Sequence, residues 1–184
     1  MNRLALVLGS LFGVVSLMGC NQDVTEAAPP PHALTPAAIG HYCGMNLLEH
    51  AGPKGQIILA SQTDPIWFSS ARDTVAFTLL PEEPKDIRAI YVSDMAKAPS
   101  WEDPGANNWV DARKAFFVVG SSAQGGMGAP ETVPFSNRPA ADEFVAQHSG
   151  RVVTFDEIPR DYVLSSEPAA ADPVEATGLG DMHE

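Results

Sequence analysis

The sequence predicts an α+β fold: two small ββαβ units packed together, preceded by a lipoprotein signal and tether and followed by an acidic tail. Three observations predict it. Short apolar runs of strand length alternate with two stretches of helical period. Pro and Gly together number 31, and many separate those runs, so every element is short. One pattern also occurs twice. Phe68-Ser69 is followed by Phe77 and Phe135-Ser136 by Phe144, the phenylalanines nine positions apart in each copy and the copies 67 positions apart. Neither unit is large enough for a sizeable core alone, which is why the two are expected to pack together.

The elements follow in order. Asn2-Arg3 precedes an apolar run from Leu4 to Met18, a secretory signal too short for a comfortable membrane span. The run stops at Leu17-Met18-Gly19-Cys20, which resembles a bacterial lipobox, so residues 1–19 are read as removed and Cys20 as lipidated. Residues 20–38, with Pro29-Pro30-Pro31, lack apolar period and read as a flexible tether in which His32 has no role.

Residues 39–98 form the first predicted unit. Asn46 to His50 begins a short helical turn, Gln56 to Ala60 and Ile66 to Phe68 are strands, and Ile87 to Ser93 is a third. Between them, Ser70 is a candidate N-cap for a helix over Ala71 to Leu80, which Pro81 stops. Residues 99–160 form the second unit. It holds a strand over Val110 to Ser121, a flexible loop over Gly120 to Pro130, a short strand at Val133-Pro134-Phe135, a helix over Arg138 to Gln147 and a last strand over Arg151 to Phe155. Residues 161–184 carry six acidic and no basic residues and read as a disordered acidic tail.

Removing residues 1–19 leaves 10 basic against 23 acidic residues, a net charge of −13. That argues against nucleic acid and anionic membrane surfaces as partners. It agrees with handling a cation or docking on a basic protein face, and equally with plain solubility. CxxC, HExxH and phosphate-loop patterns are absent from the sequence.

The chemistry concentrates in His41-Tyr42-Cys43-Gly44-Met45. With Cys20 consumed by lipidation, Cys43 has no disulfide partner, and an unpaired cysteine outside the cytoplasm implies an intermolecular bond, a reactive thiol or a metal ligand. Thiolate and thioether are soft donors that select Cu(I), while one cysteine is too few for the common zinc patterns. His41 and His50 are candidate imidazole donors beside this cluster. Met127, within Gly125-Gly126-Met127-Gly128, has nothing local to pack against; a projecting ligand and a structural residue are equally open readings. Met45 alone fits core packing as well as ligation. Met182-His183 in the tail is a weak further pair.

Together these residues resemble the NosL family, lipid-anchored accessory proteins of nitrous oxide reductase. The resemblance spans Ile39 to Pro159 and is carried by His41-Tyr42-Cys43-Gly44-Met45, Ser93-Asp94-Met95, the run Lys114 to Ser121 and Val152 to Ile158. It implies Cu(I) as the bound metal and a non-enzymatic chaperone. The implied acceptor is the nitrous oxide reductase apoprotein, at its tetranuclear copper–sulfide centre, and an unidentified periplasmic protein would be the copper donor. It implies Cys43 and Met127 as sulfur ligands, Met45 as the rest of the triplet, and a third donor for which His41 and His50 are candidates. The expected location is the periplasmic side of a membrane. Asn21, rather than Asp, follows Cys20 and favours the outer one. Two alternatives stay open: a thiol enzyme related to organomercurial-cleaving folds, and a metal-free structural lipoprotein.

Overall fold

The computed structural model describes residues 27–165; Cys20, Met182 and His183 lie outside them. The first sheet contains β1 (Gly55–Leu59), β2 (Ile66–Phe68), β3 (Ile87–Ser93) and β4 (Trp109–Asp111), in the order β2-β1-β3-β4. The second contains β5 (Phe116–Val119), β6 (Val133–Phe135) and β7 (Arg151–Thr154), in the order β6-β5-β7. Every pairing in both sheets is antiparallel. Helices α1 (Ala71–Leu79) and α2 (Arg138–His148) follow β2 and β6, and α3 (Arg160–Leu164) closes the described chain.

The doubled pattern in the sequence is a doubled structure. In each half a central strand pairs with a short edge strand and with the strand that follows the helix. The repeated phenylalanines are what hold each helix to its sheet. Phe68 and Phe77 meet edge to face at 5.5 Å, and Phe135 and Phe144 meet at 5.3 Å. The helix starts are also equivalent. Ser70 accepts from the Asp73 amide and Asn137 from the Ala140 amide, each satisfying an orphan donor of the first turn. Pro139 sits in the first turn of α2, where its missing N–H is harmless.

The halves share a core. Ile57 and Leu59 of β1, Phe77 of α1 and Ile90 and Val92 of β3 lie in one buried cluster with Phe117 and Val119 of β5 and Val153 of β7. Alternation along β5 turns Val118 the other way, into a smaller cluster with Val133, Phe135 and Ala141 that α2 covers. Asp94, just after β3, reaches across to accept from the Ser136 amide at 2.8 Å, and the Met95 amide donates to the Pro134 carbonyl at 2.9 Å. Pro134 is tolerated because β6 is an edge strand. Burial works to raise the Asp94 pKa, but the hydrogen bonds from Ser136 and Lys97 outweigh it and hold the carboxyl below its usual range.

Three expectations are corrected. The tether reading of 20–38 fails for its described C-terminal part. Leu34 and Ala38 pack with Leu47, the His32 backbone exchanges two hydrogen bonds with the buried Gln56 side chain, and Tyr91 donates to the Pro29 carbonyl. The tail reading of 161–184 fails for residues 161–165. The Arg72 guanidinium donates to the Val163 and Ser165 carbonyls, and Val163 enters the core. The expected strand from Val110 to Ser121 is two strands joined by a 3-10 turn over Ala112–Lys114. Asp111 accepts from the Arg113 amide there and breaks the extended run, so β4 joins the first sheet and β5 the second.

Because Phe117 is fully buried between elements of both halves, Phe117→Ala is expected to destabilise the protein by about 3–5 kcal/mol. Urea unfolding should read that loss as one transition, with hydrogen-exchange protection falling in both sheets together. Loss confined to β5, β6 and β7 would refute the shared core.

Candidate metal centre

Cys43 sits at the tip of a tight hairpin. Ile39 and Asn46 form its closing bridge, and the Gly40 amide donates to the Met45 carbonyl at 2.9 Å. The Gly44 amide donates back to the Gly40 carbonyl at 2.8 Å, with Gly44 at φ 66°, a conformation costly for any residue with a Cβ. Gly40 has a different task. A Cβ there would stand 2.5 Å from Cys43 Sγ, so the glycine leaves the room that the sulfur occupies.

The hairpin is fixed on both sides. The His41 amide donates to the Trp67 carbonyl, tying the hairpin to β2. Beyond it, Asn46 accepts from the Leu48 amide and donates to the Pro36 carbonyl, which starts the 3-10 turn over Leu47–Glu49. Leu47 is fully buried and anchors that turn. The result is a half-buried, free Cys43 thiol on a braced turn, with the Met45 thioether exposed two residues on.

Met127 comes from the second half. The Gly128 amide donates to the Gly125 carbonyl at 2.8 Å and the Gly125 amide to the Ala129 carbonyl at 2.9 Å. A bridge between Gln124 and Pro130 closes the segment. Where a flexible loop was expected, the chain makes a hydrogen-bonded turn. Gly126 lies against the first half: a Cβ on it would be 2.6 Å from His50 Cβ and 2.9 Å from the Ala51 carbonyl oxygen. The turn thus lands on the residues that follow the cysteine hairpin, and Met127 is 53% exposed at its tip.

His41 and His50 differ sharply. His41 packs its ring against Tyr42, Phe68 and Phe77, and its Nε2 lies 3.4 Å from Glu83 Oε1. Tyr42 donates to the same oxygen at 2.9 Å, and burial together with that carboxylate pushes its phenol well above the usual range. His50 is buried, and its Nε2 has no hydrogen-bond partner. Among the described residues no group of three His, Cys, Asp or Glu side chains is placed to hold a metal ion. An ion at Cys43 would therefore draw on Met45 or Met127 to complete a soft donor set.

Glu131 escaped the sequence reading, as did Gly40, Glu83 and Lys54. The one available signal was that Glu131 is the only charged residue between Lys114 and Arg138. It is fully buried at the end of the Met127 segment. Its Oε1 accepts from the Arg72 amide at 2.7 Å, the Thr132 amide at 2.8 Å and Ser70 Oγ at 3.2 Å. Its Oε2 lies beside Gly125, 2.8 Å from where a Cβ would stand. Burial pushes the carboxyl up to about 7, although these hydrogen bonds pull the other way. Lys54 is buried too, donating to the Ala51 and Gly52 carbonyls, and burial pushes its ammonium down to about 8 against the opposing pull of Glu131.

A family model described as NosL matches residues 31–163. The chain belongs to the NosL family. It is 46% identical over 176 residues to the copper-binding lipoprotein NosL of Achromobacter cycloclastes, covering 92% of this chain and 89% of that protein. It is 32% identical over 166 residues to the copper-binding lipoprotein NosL of Stutzerimonas stutzeri, covering 88% and 84%. Its fold matches the crystal structure of the copper chaperone NosL from Shewanella denitrificans with a TM-score of 0.67 at 36% identity, over 72% of this chain and 98% of that one. In this NosL-family chain, Cys43, Met45 and Met127 are the sulfurs that the fold leaves at least partly accessible beside the hairpin and the glycine turn.

The titration of Glu131 has a definite sign. The fold binds its proton at pH values where the unfolded chain has released it, so the stability it contributes declines as pH rises from 4.5 to about 7. Lys54 stays protonated across that window and does not cancel the trend. Urea unfolding of the protein and of Glu131→Gln should show their stability difference shifting against the wild type as pH rises. A difference independent of pH would contradict the buried carboxyl.

Proposed function

We propose that this chain is a carrier of Cu(I), the cargo held by Cys43 and Met127 with Met45 and His41 as neighbouring donors. The observation that supports this most directly is the Cys43 thiol. It is free and half-buried, in a space that Gly40 leaves for it, on a hairpin closed by its own backbone bonds. The names of the relatives, copper-binding lipoprotein and copper chaperone, point to the same metal. Soft sulfur donors stabilise the +1 state of copper over harder ions.

The proposed acceptor is the nitrous oxide reductase apoprotein, for assembly of its copper–sulfide centre, with copper supplied by a periplasmic donor protein. Lipidation at Cys20 would hold the carrier at the periplasmic face of a membrane, the outer one on the evidence of Asn21. Transfer requires no bond-making catalysis by the protein. A thiolate and one or two thioethers leave coordination positions open, so an incoming donor group joins before a leaving one departs. That exchange is faster than from a closed four-ligand cage. Delivery without an enzymatic step is the reading that this geometry favours.

Two substitutions test the ligand set in anaerobic Cu(I) titrations against a competing chelator, with X-ray absorption counting sulfur neighbours. Cys43→Ser should lower Cu(I) affinity by orders of magnitude and remove the short copper–sulfur contact; unchanged affinity would eliminate Cys43 as a ligand. Met127→Leu, which keeps the side-chain volume, should lower affinity less, by about ten- to a hundredfold, or about 1–3 kcal/mol. It should also speed release to the chelator, and an unchanged sulfur count would remove Met127 from the site.

A further inference from the structure

The exposed large hydrophobic side chains are not scattered. Among the described residues they are Ile39, Tyr42, Met45, Leu48, Met127 and Leu164, and all but Leu164 lie on the cysteine hairpin, the turn after it or the glycine turn. Ile39 is 50% and Leu48 54% exposed, and no copper-binding role requires either. Single exposed apolar residues are ordinary, but a group of them around one site marks an interaction surface.

A cleft of about 380 Å³ adjoins this group. Ile39 and His41 form its hairpin side, Leu59, Ile66 and Trp67 contribute apolar wall, and Glu83 stands in it as the charged group. Glu83 is also the acceptor to which Tyr42 and His41 are bound, so one carboxylate serves both the cleft and the hairpin. Its neighbour Glu82 is exposed. The nearby Lys85 turns its ammonium to the Thr78 and Leu80 carbonyls at the end of α1. The chain as a whole carries a net charge of −12.

We propose that this cleft is the docking site of the protein that receives copper, and that the docking segment presents apolar side chains beside a lysine or arginine that pairs with Glu83. The proposal rests on the carrier reading above. Its support is charge complementarity together with position. An apolar wall with a single partly buried carboxylate selects a basic, apolar segment over an acidic or neutral polar one. Ile39 and His41 of the cysteine hairpin line the cleft, so an occupant touches the hairpin that carries the sulfur. Docking also acts on the hairpin. A cationic side chain that draws Glu83 toward itself takes away the acceptor that Tyr42 and His41 share. The Cys43 turn then loses a brace at the moment its copper is being exchanged.

The test uses the Cu(I)-loaded full chain and two acceptors, apo nitrous oxide reductase and bathocuproine disulfonate, a small chelator that needs no docking surface. Gln62→Trp fills the cleft from an exposed position, and Pro84→Lys puts a positive charge on its exposed rim, against a basic docking segment. Both should slow transfer to the reductase by about tenfold or more while leaving transfer to the chelator unchanged, and added salt should slow the wild-type protein reaction. Variants that load the reductase at the wild-type rate overturn the docking site and leave the carrier function standing. A wild-type protein that supplies the chelator but never the reductase overturns the acceptor assignment, and this docking site with it. Failure to bind Cu(I) at all overturns the carrier reading itself.

Discussion

The placement of the candidate centre depends on one buried carboxylate. Glu131 ends the segment that carries Met127, yet its Oε1 is spent on the first turn of α1, through the Arg72 amide and the Ser70 hydroxyl. A helix N-terminus supplies unpaired N–H groups and a positive dipole end, and both favour a carboxylate. A charge taken out of water without partners would be prohibitive, and three donors on one oxygen are what make the position tenable. The Tyr162 hydroxyl donates to the Glu131 carbonyl, and the Arg72 guanidinium holds the end of α3. One residue therefore locks the glycine turn to the first helix and is itself roofed by the third. The loop could not drift from the cysteine hairpin without stripping those donors.

That arrangement also explains what the sequence could and could not reveal. The two ββαβ halves were legible because their signals are local: a phenylalanine ending a strand, a polar cap, and a second phenylalanine in the helix that closes on the first. Cys43 was legible because the lipobox reading takes Cys20, and a cysteine then left unpaired in a chain expected outside the cytoplasm is anomalous. The rest is written in contacts between distant positions. Nothing in Pro29 to Ala38 announces that Leu34 and Ala38 will be buried by Leu47. Nothing in Asp161 to Ser165 announces a helix, since acidic composition outweighs the single turn that Arg72 stabilises from 91 residues away. The break at Asp111 was hidden because β4 and β5 are both apolar and only the 3-10 turn between them sends them to different sheets.

On the proposed carrier reading, the site has to balance retention against release. A metal-binding hairpin that folds only around its ion would hold the ion as part of its stability and surrender it reluctantly. Here the hairpin closes through Gly40, Gly44 and Met45 backbone bonds and is held by the flanking Leu47 and Trp67 contacts. On the proposed carrier reading, binding energy would come from sulfur donation, and unloading the ion would leave those backbone bonds in place. The same logic accounts for the glycines. Gly40 keeps space open at the sulfur, and Gly126 lets the second turn approach the backbone of His50 and Ala51.

The close seat of Gly126 limits how Met127 can move. Two glycines and a methionine flanked by glycine suggest a loop that swings, but Gly125 is pressed against Glu131 and Gly126 against His50. Displacing the turn would pull Glu131 away from the Arg72 amide and Ser70 hydroxyl that hold its Oε1, and the loss of those bonds resists it. What remains mobile is the methionine side chain, with three rotatable bonds and more than half its surface in solvent. Rotation about those bonds moves the sulfur while the backbone stays docked. On the proposed carrier reading, Cys43 is the fixed sulfur and Met127 the one that can arrive and depart, and the adjustable element is one side chain rather than a loop.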